Sequence, residues 1–346
     1  MFPNSVTLPP RIGRMRYTYN LHGWITRIET ECLKEYLSYA GGSSKPCFNG
    51  NISTVSWRDA CSSTSRGYRF FYDSLNRMTG ANYGEGESLA MSPGRYDETA
   101  EYDRNGNITK LERHGMKQDG SFGIIDNLKV SLMGNRIAAI TDDAEKIIRQ
   151  GAMDFKTASD GRASYTYNAF GALTSDTGRG ITMIQYDNFH NPIRIQFANG
   201  SVTRYVYSAD GAKLRTVHYT AMPNITVATG TIHELTPAET QAVDSVDYLL
   251  GGKLLLRNGR IDKYLFEGGY CEAYKPVTCI AKPFIPTFDG FIEPSKEDME
   301  RFDDLLKAWE KAKEANFNMD NFNYYFYNTD HQGNIREVVD ATGQVV

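Results

Sequence analysis

No run in the 346 residues approaches 18 uninterrupted apolar positions, so a spanning helix is not expected. A basic excess is also missing. Thirty-eight Lys and Arg stand against 42 Asp and Glu, a net charge of -4, which leaves no surplus to neutralise phosphates and argues against a nucleic-acid partner. The N-terminal MFPNSVTLPPRIGRMRYTYN has prolines before a basic stretch and no apolar core suited to a signal peptide, so the sequence by itself gives no cellular address. Cys32, Cys47, Cys61, Cys271 and Cys279 form no CxxC pair and have no His spacing suited to zinc. Neither a metal nor a cofactor is expected. The odd cysteine count fits a reducing compartment or one free thiol outside it, and Cys271 and Cys279 either close a small loop as a disulfide or stand unpaired.

What is abundant is tyrosine, phenylalanine and glycine, 22, 17 and 31 residues, a composition suited to many short aromatic strands joined by turns. The stretch YDRNGNITKL, Tyr102 to Leu111, has the cadence of a hairpin, and it returns. Related segments are RYTYNLHGWITRI, RFFYDSLNRMTGA, YTYNAFGALTSD, IQYDNFHNPIRI, RYVYSADGAKLR and FYNTDHQGNIREV. Their acid or amide position holds Asn20, Asp73, Asp103, Asn168, Asp187, Ser208 and Asp330, all short side chains able to bond the amides of a following turn. Three residues later stand Gly23, Asn76, Gly106, Gly171, His190, Gly211 and Gly333. Gly, Asn and His share a tolerance of positive φ, so a left-handed backbone is expected at this position.

The incoming strands alternate aromatics, as in Tyr165 and Tyr167, and the outgoing strands share an apolar slot at Ile25, Met78, Ile108, Leu173 and Ile335. Tyr167, Tyr186 and Tyr207 are about 20 residues apart, the spacing of a repeat array. Asn199-Gly200 and Asn258-Gly259 suit two-residue type I′ turns between units, with Gly134-Asn135 in the same role. Residues 31–64 read as an insertion, 84–100 as a loop and 143–160 as a short charged break. Thr236 and Pro237 predict a helix over 235–243. A second, amphipathic helix is expected over 294–317, with Met299, Phe302, Leu305, Leu306 and Trp309 down one side; it either packs on its own sheet or binds a partner.

These units resemble the YD repeat of the RHS family, Tyr-Asp, two variable residues, Gly and an apolar residue. DYLLGGKLLLRNGRIDKYLFEGGY and YYFYNTDHQGNIREVVDATGQ resemble the RHS repeat-associated core segment in its Bacteroidetes form. The resemblance covers residues 14–346 apart from the insertions. It implies an all-β fold, a curved antiparallel meander of hairpins forming an open segment of an RHS-type shell, with one amphipathic helix near the C-terminus. The expected organisation is an N-terminal tail at 1–13, repeats over 14–230 and core-like hairpins over 231–346.

Family chains continue into a Tyr-Tyr-Pro-Phe-Gly-like motif, whereas this sequence stops at Val346, so truncation before the C-terminal effector is expected. The Asp-Pro pair used for self-cleavage in shell-forming toxins has no counterpart here. The family implies a secreted or cell-surface scaffold whose partners are the remaining shell segments or an encapsulated effector. The alternative is a carbohydrate- or cell-surface-binding β-module.

Catalysis is not expected. Asp73, Asp103, Asp187 and Asp330 sit where a loop needs a capping acceptor, and Asn or Ser replaces them in sister units. His331 beside Asp330, with Thr329 as the nearest hydroxyl, has no framing GxSxG and is expected as a loop or surface residue. The glycines open strands rather than helices, which excludes a phosphate loop.

Overall fold

The computed structural model describes residues 15–278, apart from 31–32, 41–45, 60–61, 63 and 149–152, and then 303–304, 306–307, 310–311, 322–341, 344 and 346. The expected tail at 1–13 therefore lies outside the described residues, as do Cys32, Cys61 and Cys279.

The described residues form a 22-stranded antiparallel sheet. Its strands are β1 (Arg16–Tyr19), β2 (Ile25–Glu29), β3 (Leu33–Ser38), β4 (Thr54–Asp59), β5 (Arg66–Tyr72), β6 (Met78–Glu85), β7 (Glu98–Tyr102) and β8 (Ile108–Met116). They continue with β9 (Phe122–Met133), β10 (Arg136–Asp142), β11 (Arg162–Tyr167), β12 (Leu173–Asp176), β13 (Ile181–Tyr186), β14 (Pro192–Phe197) and β15 (Val202–Tyr207). The last are β16 (Lys213–Ala221), β17 (Thr240–Leu249), β18 (Leu254–Arg257), β19 (Arg260–Phe266), β20 (Gly269–Thr278), β21 (Phe322–Thr329) and β22 (Ile335–Asp340).

Each strand pairs with the one before it and the one after it, so the topology is an uninterrupted meander. At about 4.8 Å per strand, 22 strands make a strip roughly 105 Å long. It is open, since no strand pairing joins β22 to β1 among the described residues.

Alternation decides which face is covered. In β3, Leu33, Glu35 and Leu37 are buried while Tyr36 between them is exposed. Ile28 and Val55 carry the same covered layer into β2 and β4. The strip also turns back on itself. The loop after β21 reaches β3, where the His331 amide and ring nitrogen Nδ1 both lie 3.2 Å from the Glu35 carboxylate. Arg336 lies over the ring of Trp57, which faces Glu35 across β3 and β4.

Several sequence expectations change. Residues 31–64 supply two strands, β3 and β4, in register with the rest, because LKEYLS and TVSWRD have the alternation of strands despite the Ser and Gly around them. The loop at 84–100 is narrower, since β6 runs to Glu85 and β7 begins at Glu98.

The helix expected over 235–243 is a 3-10 turn of three residues, Pro237–Glu239. Its start signal is real: Glu239 accepts from the amide and hydroxyl of Thr236. Thr240 onward, however, pairs along β16, and that long ladder outweighs a single turn of helix. Most of 294–317 lies outside the described residues; those that are described there are helical.

Turn chemistry divides the three tight links. Asn258 and Gly259 have φ 51 and 76, both positive as type I′ requires. At Asn199-Gly200 only Gly200 is positive, and Phe197 N–H donates to Ser201 O while Gly200 N–H donates to Phe197 O. That is a type I turn closed by a glycine bulge, not type I′. Gly134 alone is positive in its link, the φ pattern of type II′.

Candidate functional site: the repeated hairpin loop

The residues singled out by the repeat form one loop built seven times. At Asp73, the backbone N–H donates to Arg77 O at 3.0 Å, and Asn76 N–H returns to Asp73 O at 3.1 Å. Asp73 Oδ1 then accepts from the amides of Leu75 and Arg77 at 2.9 and 3.0 Å. The same carboxyl or amide bonds recur at Asn20, Asp103, Asn168, Asp187 and Asp330. At Ser208 the hydroxyl accepts only from the amide four residues on, that of Ala212.

The residue three places on has positive φ in every copy: Gly23 78, Asn76 63, Gly106 89, Gly171 88, His190 65, Gly211 83 and Gly333 79. Register slips by one at the same place in all seven, as between Phe71 and Tyr72 or Gln185 and Tyr186. This is a type I turn followed by a glycine-type bulge, and it adds local twist at every rung.

Sequence reasoning missed what the tyrosine before the acid does. Its hydroxyl reaches back and donates to a backbone carbonyl of the preceding hairpin. Tyr102 bonds Met78 O at 2.6 Å, Tyr186 bonds Leu173 O at 2.6 Å and Tyr207 bonds Pro192 O at 3.1 Å. Tyr72 with Ile52 O and Tyr167 with Ile137 O do the same at 2.8 and 2.9 Å, and Tyr39 bonds Ile25 O at 2.9 Å. The acceptor at Met78, Leu173, Pro192 and Ile25 is the first residue of the outgoing strand. A readable signal existed: six of the seven units keep Tyr here and none has Phe, so the hydroxyl was the common feature.

Tyr39 and Ile52 also reveal a hairpin hidden in the supposed insertion, with Gly50 at φ 94 in its turn. Asp340 is another unread copy. Its N–H donates to Gln344 O, and its Oδ1 accepts from the Gln344 amide.

Electrostatics follow from this geometry. The Arg77 amide holds the Asp73 carboxyl below the usual range, and the Asn107 side-chain amide does so for Asp103. At Asp187 and Asp330 desolvation pushes upward, and bonds led by Asn191 and Asn334 more than offset it. Burial pushes the phenols of Tyr72, Tyr186 and Tyr207 up, which keeps them donors well above neutral pH. The loop carboxylates are thus committed to amides, an arrangement suited to holding shape.

Two side-chain clusters lie elsewhere. Glu35, Asp330 and His331 meet where the last loop touches β3, and Arg336 Nε lies 2.8 Å from Asp330. Asp126, Asp142 and Asp154 have carboxylate oxygens within 4.8 Å of one another, and Arg113 lies 2.6 Å from Asp126. Each cluster already contains a cation of the protein's own. Cys271 carries a free thiol buried in β20, where desolvation pushes it up. Among the described residues no helix is long and apolar enough to cross a membrane.

The sequence matches no family model and no curated relative. Among solved structures it is similar to TcdB2-TccC3, at 12% identity and a TM-score of 0.29 over 96% of this chain and 18% of that one. It is similar to the Photorhabdus luminescens Tc holotoxin pore at 12% identity and a TM-score of 0.27, over 96% of this chain and 19% of that one. The chain therefore spans under a fifth of either toxin chain. A porin-like protein from Bacteroides uniformis matches at 8% identity and a TM-score of 0.26, over 68% of this chain and 89% of its own.

Proposed function

We propose that this chain is a non-catalytic YD-repeat segment of RHS type, a wall element in the scaffold of a larger secreted or cell-surface, toxin-associated protein. Residues 14–230 are the repeat wall and 231–346 its core-like end. Its partners are the neighbouring shell segments and the effector they enclose. The observation that carries this reading is the staple: Tyr72, Tyr102, Tyr167, Tyr186 and Tyr207 each tie their own hairpin to the one before it, so the loops serve the continuity of the strip. The recurring carboxylates are spent on the same task.

The test is the intact mass of the native polypeptide in its cells and culture medium, before and after protease treatment. A species well above 38.9 kDa, with its extra polypeptide shielded until the wall is denatured, supports the scaffold. A species of that mass alone, with nothing shielded, contradicts it.

A second reading has one observation in its favour. A cavity of about 510 Å³ is lined by Phe48, Phe71, Asn49, Asn51, Asp73 and Asn76, with Phe48 81% exposed. An open aromatic face beside amides and a carboxylate is the chemistry that stacks on and bonds sugars. A glycan array with no saturable signal sensitive to Phe48→Ala removes that reading.

A further inference from the structure

Residues 143–161 join β10 to β11, and the described ones among them form no strand. The described part crosses the face of β8 to β10 that carries Leu111, Leu128 and Ile140. Three elements pin it there. Phe155 N–H donates to Asp126 Oδ1 of β9 at 2.7 Å, and Arg113 Nη2 of β8 donates to Met153 O at 2.8 Å. Beyond β12, Gly178 lies so near that an added Cβ would sit 2.3 Å from Lys156 O. Cavities of about 640 and 600 Å³ flank this crossing, and Arg113 and Phe155 line both. Lifting 153–156 would join them into one trough over an apolar floor.

The pinning point is short of donors. Asp126 is 0% exposed. Its Oδ2 is ion-paired with Arg113 at 2.6 Å, yet no well-aligned hydrogen bond reaches that oxygen, and none reaches the buried Oδ1 of Asp154. Asp142, the third carboxylate, accepts from the amides of Asn127 and Ala144. The other groups facing the pair are Arg113 from β8, Lys146 and the Ile147 amide from the crossing segment itself. Lys129 is occupied by Asp143 at 2.6 Å, and Asp176 and Arg179 line the neighbouring cavity. Asp154 Oδ1 has no donor and Asp126 Oδ2, within 4.8 Å of the Asp154 carboxylate, has only the poorly aligned Arg113 guanidinium; that is costly when both groups are ionised, and a proton taken up by the pair supplies a further donor.

We propose that residues 153–156 are a proton-operated strap: a proton taken from solvent by the Asp126 and Asp154 pair seats the strap on β8 and β9, and its loss frees the strap to uncover the trough. Burial holds both carboxyls above their usual range, in agreement with this geometry. A carboxyl raised in the seated state binds more protons there than in the open state. Seating therefore weakens as pH rises through the raised value and strengthens as pH falls.

The test is hydrogen exchange of the full chain between pH 5 and 8, read by mass spectrometry over 143–161 and corrected for intrinsic rate. Strap protection is expected to fall as pH rises, by up to about tenfold per unit for one linked proton. Asp154→Asn brings its own donor and is expected to keep the strap protected at pH 8 and flatten the profile. Protection that is flat or rises with pH in the unsubstituted chain overturns the proposal, and so does an undiminished slope in Asp154→Asn. Should that variant fail to fold, the pH series on the unsubstituted chain decides by itself.

Discussion

The hairpin loops and the strap both hold aspartates against backbone amides, yet they answer protons in opposite directions. Asp103 is half-buried with two amides and the Asn107 side chain on its oxygens, and its carboxyl is held down. Asp126 is fully buried with one amide and one ill-aligned guanidinium, and its carboxyl is pushed up. Donor supply against desolvation decides the sign. A loop that must recur along a strip suits the first arrangement, which is independent of its neighbours. A single crossing segment can sustain the second.

The largest expected effect comes from breaking the strap's side of this contrast. Asp126→Ala leaves Arg113 without its carboxylate and the Phe155 amide without its acceptor. Removing one partner of a buried pair costs about 3 to 5 kcal/mol, readable as a shift in the urea midpoint. Asp103→Ala, in an exposed loop, is expected to cost clearly less, and equal losses would erase the distinction between the two regions.

Next is the loop backbone. Gly106 has φ 89 with nothing within 4 Å of an added Cβ, so Gly106→Val tests conformation without a clash. A β-branched residue there should cost about 1 to 2 kcal/mol. Asn76→Gly, at φ 63, is expected to be tolerated, and an unchanged melting midpoint for Gly106→Val would contradict the assigned turn.

The pH limbs sharpen the comparison further. Because the loop carboxyls of Asp73, Asp103 and Asp187 are depressed in the folded chain, the stability they confer is present above about pH 4, their unfolded value. It is lost as pH falls further, through the folded values. The elevated phenols of Tyr72, Tyr186 and Tyr207 set the opposite limb, since their contribution is lost as pH rises above about 10. Circular dichroism against pH should show a broad plateau bounded by these limbs, and a midpoint that climbs steadily into acid below pH 4 would contradict the loop assignment.

Much of the strip was legible in the sequence because its signals are local. Period-two aromatics, an acid or amide, and Gly, Asn or His three residues later suffice for a hairpin without knowledge of what lies beside it. What the sequence concealed depends on neighbours. The tyrosine hydroxyl's acceptor lies 13 to 30 residues away, as in Tyr186 with Leu173 or Tyr167 with Ile137, and no local pattern announces it. Asp126, Asp142 and Asp154 meet only because the chain between β10 and β11 doubles back over β9. Thr236 and Pro237 gave an honest helix start that the β16 ladder cut short after one turn.

The central claim is that tyrosine hydroxyls bind each rung to the one before it, and Tyr102→Phe tests this most directly. The ring is kept, and only the bond to Met78 O at 2.6 Å is removed. Losing one part-buried hydrogen bond worth about 1 kcal/mol should raise hydrogen exchange roughly fivefold in the preceding hairpin, around Met78, as well as in the Tyr102 loop itself. An increase confined to the Tyr102 loop, or no change in either hairpin, would contradict the staple.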